Sequence, residues 1–334
     1  MQLSIIVPNI KTSIELENTL ENFRTQNTQD FELILVITNI NKTMYSLLEE
    51  GLKFFGSRLK FILNSNRKSI QNNIVSGFHL VKGKYVTIIY TDNKLKDHYV
   101  EDLVNLSSKY DTDVIEYRPR LINTIRWKPE PRIKPLHVYN ILNEPEYVAY
   151  AYPFIFNKIF KNSLIQQFIK FKQKELNDTK FAVELTYMLL LKSTSYVYEN
   201  IRIIKENISS SLWLTPKNFI YQFNEIINYV EINNIKLSHE INYANLYFLQ
   251  LFLAGLLKTW RRRFSLNVFK DITNYNEKRS TKFTEDLYKY LEKFHKDNLL
   301  FFTTNIYMLK NNSETKSLKK LPPINKWNDI LGEL

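Results

Sequence analysis

Between Leu3 and Tyr117 five short apolar runs alternate with stretches of helical spacing, and this alternation constrains the fold more than any other feature of the chain. The runs cover residues 3–7, 33–37, 59–63, 85–90 and 114–117 and are dominated by Ile, Val, Leu, Phe and Tyr. The fourth run, uncharged throughout and rich in β-branched and aromatic residues, reads as a strand buried on both faces. After the first run, Thr12-Ser13-Ile14-Glu15 has capping-box spacing, and Leu16, Leu20 and Phe23 follow at i, i+4 and i+7. Phe54 lies in the helical stretch after the second run, and Ile74, Phe78 and Val81 recur at helical spacing before the fourth. Strands joined by helical crossovers predict an α/β fold with a mostly parallel, doubly wound sheet.

The remainder of the 334 residues reads differently. Residues 118–153 carry six prolines and little periodicity, which predicts a long connection across the sheet edge. From Thr215 the chain turns helical: Pro216 stands at a first helical position, and Phe219, Phe223, Ile226, Ile227 and Val230 share one face. Leu287, Tyr290, Leu291 and Phe294 mark another amphipathic helix, and residues 318–334 read as a loosely attached tail. No internal repeat is present.

Composition excludes several classes of function. There is no cysteine, so disulfides, thiolate zinc sites, iron–sulfur clusters and cysteine nucleophiles are out, and a reducing, intracellular setting is expected. The glycines number six, at 51, 56, 77, 83, 255 and 332, and from them neither GxGxxG nor GxxxxGK[ST] can be written. The parallel sheet must therefore serve a ligand other than one held by a dinucleotide fingerprint or a P-loop. The histidines at 79, 98, 137, 239 and 295 form no HExxH pair, and no GxSxG elbow is present.

A net charge of +12 points to an anionic partner, although abundant Lys, Asn, Ile, Tyr and Phe together are also the mark of an A/T-rich coding sequence. Nucleic acid is disfavoured, because no recognised RNA or DNA motif accompanies the charge. The opening MQLSIIVPNI lacks the basic start and cleavage site of a signal peptide. Residues 241–257 are uncharged but shorter than a membrane span and interrupted by Asn242, Asn245 and Gln250. Trp260, Arg261, Arg262 and Arg263 follow, an aromatic and basic cluster suited to an anionic membrane surface. A core helix with a solvated basic end is the competing reading.

Several stretches, taken in order, resemble a family 2 glycosyltransferase: LSIIVPN, Glu32 to Val36, GFHLVKGKYVTIIYTDN, NKIFKNSLI at Asn157 to Ile165, and Asn177-Asp178 followed by a helix. The resemblance implies a GT-A fold over residues 1–212, binding a nucleotide-sugar, and stops there; the helical region at 213–334 matches nothing in the family and is expected to associate with acceptor or membrane. It also implies an inverting transfer to a lipid or polysaccharide acceptor, a UDP-sugar donor, a divalent cation (Mg²⁺ or Mn²⁺), and a cytoplasmic location that can be peripheral at the inner face of the cell membrane. A relative that has lost catalysis and serves as a partner subunit is the alternative.

The same resemblance assigns residues. The fourth run ends Tyr90-Thr91-Asp92-Asn93 where the family has Asp-x-Asp, so Asp92 stands in the place of the acid that helps hold the cation, with Thr91 and Asn93 beside the donor. A hard cation accepts one or two carboxylates together with phosphate oxygens and water, whereas a lone Asp at a strand end can also merely turn the chain. Asp178 occupies the place of the general base on the acceptor hydroxyl; its competing role is to cap a helix over residues 179–191. Pro8 and Asn9 lie in the first loop, and Thr38 and Asn39 stand where the family grips the nucleobase and ribose with an acidic pair. Asn66 and Lys68 follow the third run within reach of a phosphate, Arg202 and Lys205 fall near a basic family position, and Lys158 sits toward the acceptor side or in a packing segment.

Overall fold

A computed structural model describes residues 1–65, 69–123, 125–174, 179–208, 214–263 and 270–333, without the side chains of 259–279 and 333. The chain divides into two compact units. The first comprises Met1–Pro119, Lys134–Asn143 and Phe154–Glu206; the second comprises Arg120–Ile133, Glu144–Pro153 and Asn207–Leu334.

The first unit is built on an eight-stranded sheet in the order β3-β2-β1-β4-β8-β5-β9-β7. Strands β1 (Leu3–Ile10), β2 (Phe31–Thr38), β3 (Leu59–Asn64) and β4 (Tyr85–Ile88) are parallel, joined by helices α1 (Ser13–Arg24), α2 (Lys42–Phe55) and α3 (Ile70–Phe78). The five predicted strands are present, and the capping box of α1 forms as read, with Glu15 N–H bonded to the Thr12 hydroxyl and Thr12 N–H to the Glu15 carboxylate. Strand β5 (Val114–Tyr117) runs parallel to β9 (Ser195–Glu199), while β8 (Lys158–Lys161) lies antiparallel between β4 and β5. The sheet is therefore mostly parallel with antiparallel insertions. The region read as one long connection instead contains β6 (Leu121–Asn123), which pairs with β10 (Glu206–Ile208), and β7 (Val138–Asn140), which closes the sheet edge against β9. Strands of three residues are too short to show a period, so the sequence gives no sign of them.

A buried carboxylate sets the relation of the parallel strands. Glu32 on β2 accepts from the Ser4 hydroxyl of β1 at 2.6 Å and from the backbone N–H groups of Lys82 at 2.5 Å and Gly83 at 3.2 Å, in the turn that leads into β4. The Lys60 ammonium of β3 pairs with it as well. Burial pushes the Glu32 pKa up, but the bonds from Lys60, Ser4 and Lys82 outweigh it and hold it below the ordinary 4.5. Gly83 is required here: a Cβ would stand 2.5 Å from Ser4 Oγ and 2.8 Å from the Leu3 carbonyl carbon. Gly77 of α3 permits a similar approach, its Cβ position lying 2.9 Å from Ile6 Cγ2.

The second unit is helical, with Pro216–Ile232, Ser238–Leu246, Ala254–Arg263 and Lys270–Asp297 as its longer elements. The apolar segment 241–257 forms its interior: Ile241, Leu246, Phe248, Leu251 and Leu257 are buried, and Tyr247–Leu253 widens to π-helical turns. Buried Gln250 gives its amide to the carbonyls of Ser317 at 2.8 Å and Leu318 at 3.1 Å and bonds His295 at 2.7 Å. That is core chemistry, and no helix among the described residues is long and apolar enough to cross a membrane. The expected loose tail is corrected: Leu318 and Trp327 are fully buried, and Leu331 packs onto Gly255, whose Cβ position lies 2.6 Å from Leu331 Cγ. Its helices of three to seven residues bury isolated large side chains without a repeating face, so no pattern announced them. Arg132 anchors this end, donating to both Glu314 oxygens at 2.8 Å while its guanidinium lies 3.3 Å from the Tyr247 ring centre.

Replacing Gly83 by Ala is expected to cost about 1–3 kcal/mol through this contact, read as a lowered urea midpoint. Glu32→Gln tests the carboxylate. Because the folded pKa is depressed, its stabilisation is complete above the unfolded value of 4.5 and is lost as pH falls through the folded value. The variant should be less stable at neutral pH, with a shallower loss of stability on acidification than the wild type.

Candidate functional site

The parallel strands deliver their carboxyl ends to one edge, where ligands of open α/β sheets bind. At the end of β1, buried Pro8 cannot donate to the ladder, and the pairing with β2 shifts register between Val7 and Ile10. Asn9 (φ 67°) and Asn39 (φ 58°) both adopt the left-handed conformation that asparagine tolerates, so each strand breaks sharply at this edge. Asn39 N–H bonds the Asn64 carbonyl at 3.1 Å. The side chain of Asn64 in turn donates to Asn73 of α3 at 3.0 Å, and Asn73 reaches Asn9 at 3.5 Å. A chain of amides thus ties the ends of β1 and β3 to α3. Thr38, at the end of β2, is 5% exposed, and its hydroxyl has no hydrogen-bond partner. A buried hydroxyl in that condition is costly unless a ligand completes it.

Asp92 stands just past β4, and both of its oxygens accept from the Lys180 ammonium, at 2.8 and 2.9 Å. The same ammonium pairs with Glu206. Glu206 is fully buried, whereas the Asp92 side chain is 36% exposed, so Asp92 is the end of this triad that a ligand can reach. Burial alone would lower the Lys180 pKa, but Glu206 and Asp92 outweigh it and raise it above the ordinary lysine value. Burial raises the Glu206 pKa. Asn93, almost fully buried, donates to Glu206 at 2.8 Å, and Asn22 of α1 donates to the Asn93 carbonyl at 3.3 Å. Beside them a cavity of about 410 Å³ is lined by Asn18 and Asn22 of α1 and by Thr91, Asp92 and Asn93.

The donor set of Asp92 does not suit a divalent cation as it stands. Mg²⁺ asks for oxygen ligands in octahedral array. Here the strand end offers one carboxylate, both of whose oxygens already accept from an ammonium, and the other acid lining the cavity, Glu21 of α1, lies 3.8 Å from the Arg24 guanidinium. No group of three metal-ligating acids or histidines occurs among the described residues.

The helix following the expected base begins at Val183, with Ala182 at its N-cap position in the left-handed conformation, φ 51°. It therefore starts later than residue 179, four residues beyond the cap position read for Asp178. Ala182 offers no capping oxygen, and the Leu185 N–H is instead satisfied by Gln71 Oε1 of α3 at 2.7 Å. Asn72 secures the segment before it by bonding Gln173 twice, at 2.8 and 3.0 Å. Asp178, Asn66 and Lys68 lie outside the described residues. Trp260 to Arg263 fall on the helix Ala254–Arg263, but their side chains are outside the description as well.

Lys158 belongs to the core. Directly across from Glu116 in the β5–β8 register, it lies 3.1 Å from that carboxylate and donates to the Phe154 carbonyl at 2.7 Å. Burial pushes its pKa down to about 8, against the raising pull of Glu116. Asn157 and Tyr196 also donate to Glu116, at 3.1 and 3.0 Å. A one-residue slip would bury these charges against apolar neighbours, so the pair helps specify register.

Sequence reasoning missed Lys180, Glu206, Asn73 and Gln71. Lys180 alone had a usable signal, a cation two residues beyond the candidate base; the others are scattered polar residues whose partners lie far along the chain.

The family model described as "Glycosyl transferase family 2" matches residues 4–171. No curated protein matches the sequence significantly. Among solved structures, S. aureus TarS 1-349 in complex with UDP-GlcNAc is similar over 89% of this chain and 92% of that one, with 16% identity and a TM-score of 0.58. The same fragment in complex with UDP gives 15% identity and 0.58 over the same shares. The mannosyltransferase PcManGT from Pyrobaculum calidifontis in complex with GDP-Man and Mn²⁺ is similar over 92% of this chain and 88% of that one, at 12% identity and 0.50.

Replacing Lys158 by Met is expected to cost about 3–5 kcal/mol, since it leaves Glu116 buried without its cation. The pair Lys158→Met with Glu116→Gln should recover much of that loss. Urea unfolding of the single and double variants measures both.

Proposed function

The chain belongs to glycosyl transferase family 2 and is a GT-A glycosyltransferase, and from that premise we propose that it moves a sugar, with inversion, from a nucleotide-sugar donor to a lipid or polysaccharide acceptor. The observation that carries the donor side is the edge formed by Asn9, Thr38 and Asn39, with its buried, unpartnered Thr38 hydroxyl. A nucleobase or ribose offers hydrogen-bonding groups of the kind that hydroxyl lacks. Structural neighbours that hold UDP-GlcNAc, UDP and GDP-Man agree with a nucleotide-sugar as ligand, and a UDP-sugar is our choice of donor.

In the proposed reaction the Asp178 carboxylate accepts the proton of the acceptor hydroxyl as its oxygen attacks the anomeric carbon. The new C–O bond forms on the face opposite the departing diphosphate, and the bond from carbon to the diphosphate oxygen breaks, giving inversion and a free nucleoside diphosphate. Asn9 and Asn39 orient the nucleoside, and Thr91 and Asn93 border the donor. Asn66 and Lys68 are assigned to the phosphates. GT-A relatives commonly use a divalent cation, and one neighbour holds Mn²⁺, but the occupied oxygens of Asp92 give no ground for routing a step through one in this chain. Acceptor choice is assigned to the helical region 213–334, and contact with an anionic membrane to Trp260, Arg261, Arg262 and Arg263.

A panel of UDP- and GDP-sugars, assayed by release of nucleoside diphosphate, tests the reading. Asp178→Asn should lower kcat by about 10²–10⁴ while donor affinity stays within about threefold. A folded variant with undiminished turnover would remove Asp178 from the role of base. Thr38→Val should weaken UDP binding by about threefold to tenfold, measured calorimetrically. For the membrane part, converting the three arginines to Glu should release the protein from anionic liposomes in co-sedimentation, and unchanged binding would dismiss that contact.

A further inference from the structure

The Lys180 ammonium is held from every side. It chelates Asp92 through both carboxylate oxygens, at 2.8 and 2.9 Å, and pairs with buried Glu206. Its own backbone carbonyl accepts from the Tyr90 hydroxyl at 2.7 Å, and its Nζ lies 5.1 Å from the centre of the Tyr90 ring. Glu206 is fixed in turn by Asn93 at 2.8 Å. Tyr90, Asp92 and Asn93 all come from the segment that ends β4, so one short stretch grips the lysine by its main chain, its charge and its counter-ion.

A metal ion approaching Asp92 meets two obstacles. Both carboxylate oxygens are already engaged, and the incoming ion would sit against a positive charge in a partly dry site. The ammonium does not replace the ion's full effect, since one positive charge beside two carboxylates leaves no surplus to neutralise a diphosphate. Lys180 is thus a positioning residue and not the electrophile of the reaction.

We propose that Lys180 is the resident counter-ion of Asp92 and sets the enzyme's response to metals: while it is in place, divalent cations gain no site at the end of β4, and the chain binds a nucleoside diphosphate equally well without them. The second clause rests on the nucleotide-sugar reading; the first does not. Removing the lysine would leave Asp92 and Glu206 facing each other across a vacated cation position, the makings of a new metal site.

Mn²⁺ titration of the full chain, followed by loss of the free-ion paramagnetic resonance signal, tests the first clause. The wild type and Lys180→Arg, which keeps the charge, should take up no Mn²⁺ below about 1 mM. Lys180→Met should bind it at least about tenfold more tightly, and adding Asp92→Asn should abolish that gain. A folded Lys180→Met protein that binds no better than wild type would overturn the assignment. So would saturable wild-type binding below about 0.1 mM that Asp92→Asn removes, a measurement that decides the matter even if Lys180→Met does not fold.

Calorimetric titration with UDP tests the second clause: affinity in EDTA and in Mn²⁺ should agree within about threefold, and a tenfold or larger gain with Mn²⁺ (about 1.4 kcal/mol) would refute it. If neither UDP nor GDP binds under either condition, the nucleotide-sugar reading fails together with this second clause, and the Mn²⁺ titrations alone still decide the role of Lys180.

Discussion

The Glu32 carboxylate is the constraint from which the order of the first unit follows. It collects a hydroxyl from β1, two backbone N–H groups from the turn into β4 and an ammonium from β3. An ionised carboxylate shielded from water is tolerable only when its lone pairs are all engaged, so any slip of one of these strands would leave it stranded. The strands are therefore locked at their amino ends, and their carboxyl ends are brought level at the opposite edge. That edge is where Asn9, Thr38, Asn39 and Asp92 emerge, and the alignment of the candidate site is decided a full strand length away from it.

The polar interior continues the same logic at the other half of the sheet. Glu116 and Lys158 lie opposite each other in adjacent strands, and β8 is antiparallel to both of its neighbours. Apolar side chains alone tolerate alternative registers, whereas a facing pair of opposite charges with fixed hydrogen-bond partners does not. In the helical unit, Arg132 with Glu314 and Gln250 with its carbonyls serve a comparable purpose among large apolar side chains. Glu116 and Gln250 are each a single polar residue inside a run that otherwise reads as hydrophobic, whereas Arg132 and Glu314 come from polar stretches.

What the sequence made legible was whatever repeats locally. The alternation of β1 to β5 with amphipathic helices, the Thr12 and Glu15 capping box and the helix after Pro216 all depend on neighbours within a few positions, and the structure contains them. The Asp92 position was legible for the same reason, as the acid that ends a strand. Its lysine was not, because Lys180 lies 88 residues away and no short-range pattern reports such a pairing. The same distance problem hid the two antiparallel strands beside β5 and β9 and the buried side chains of the last seventeen residues, where Trp327 and Leu318 pack without a recurring face. The uncharged segment 241–257 shows a further limit: composition alone does not separate an interior helix from a lipid-facing one, and the partners of Gln250 do.

The helix Val183–Lys192 borrows its cap from Gln71, across 114 residues of chain. During synthesis, β1 to β3 and α3 precede this helix, which has no side-chain oxygen at its own N-cap and takes one from α3 instead. Its initiation is therefore a late, long-range event. A nascent chain stopped short of this point would carry Gln71 of α3 with its amide oxygen still waiting for the Leu185 N–H.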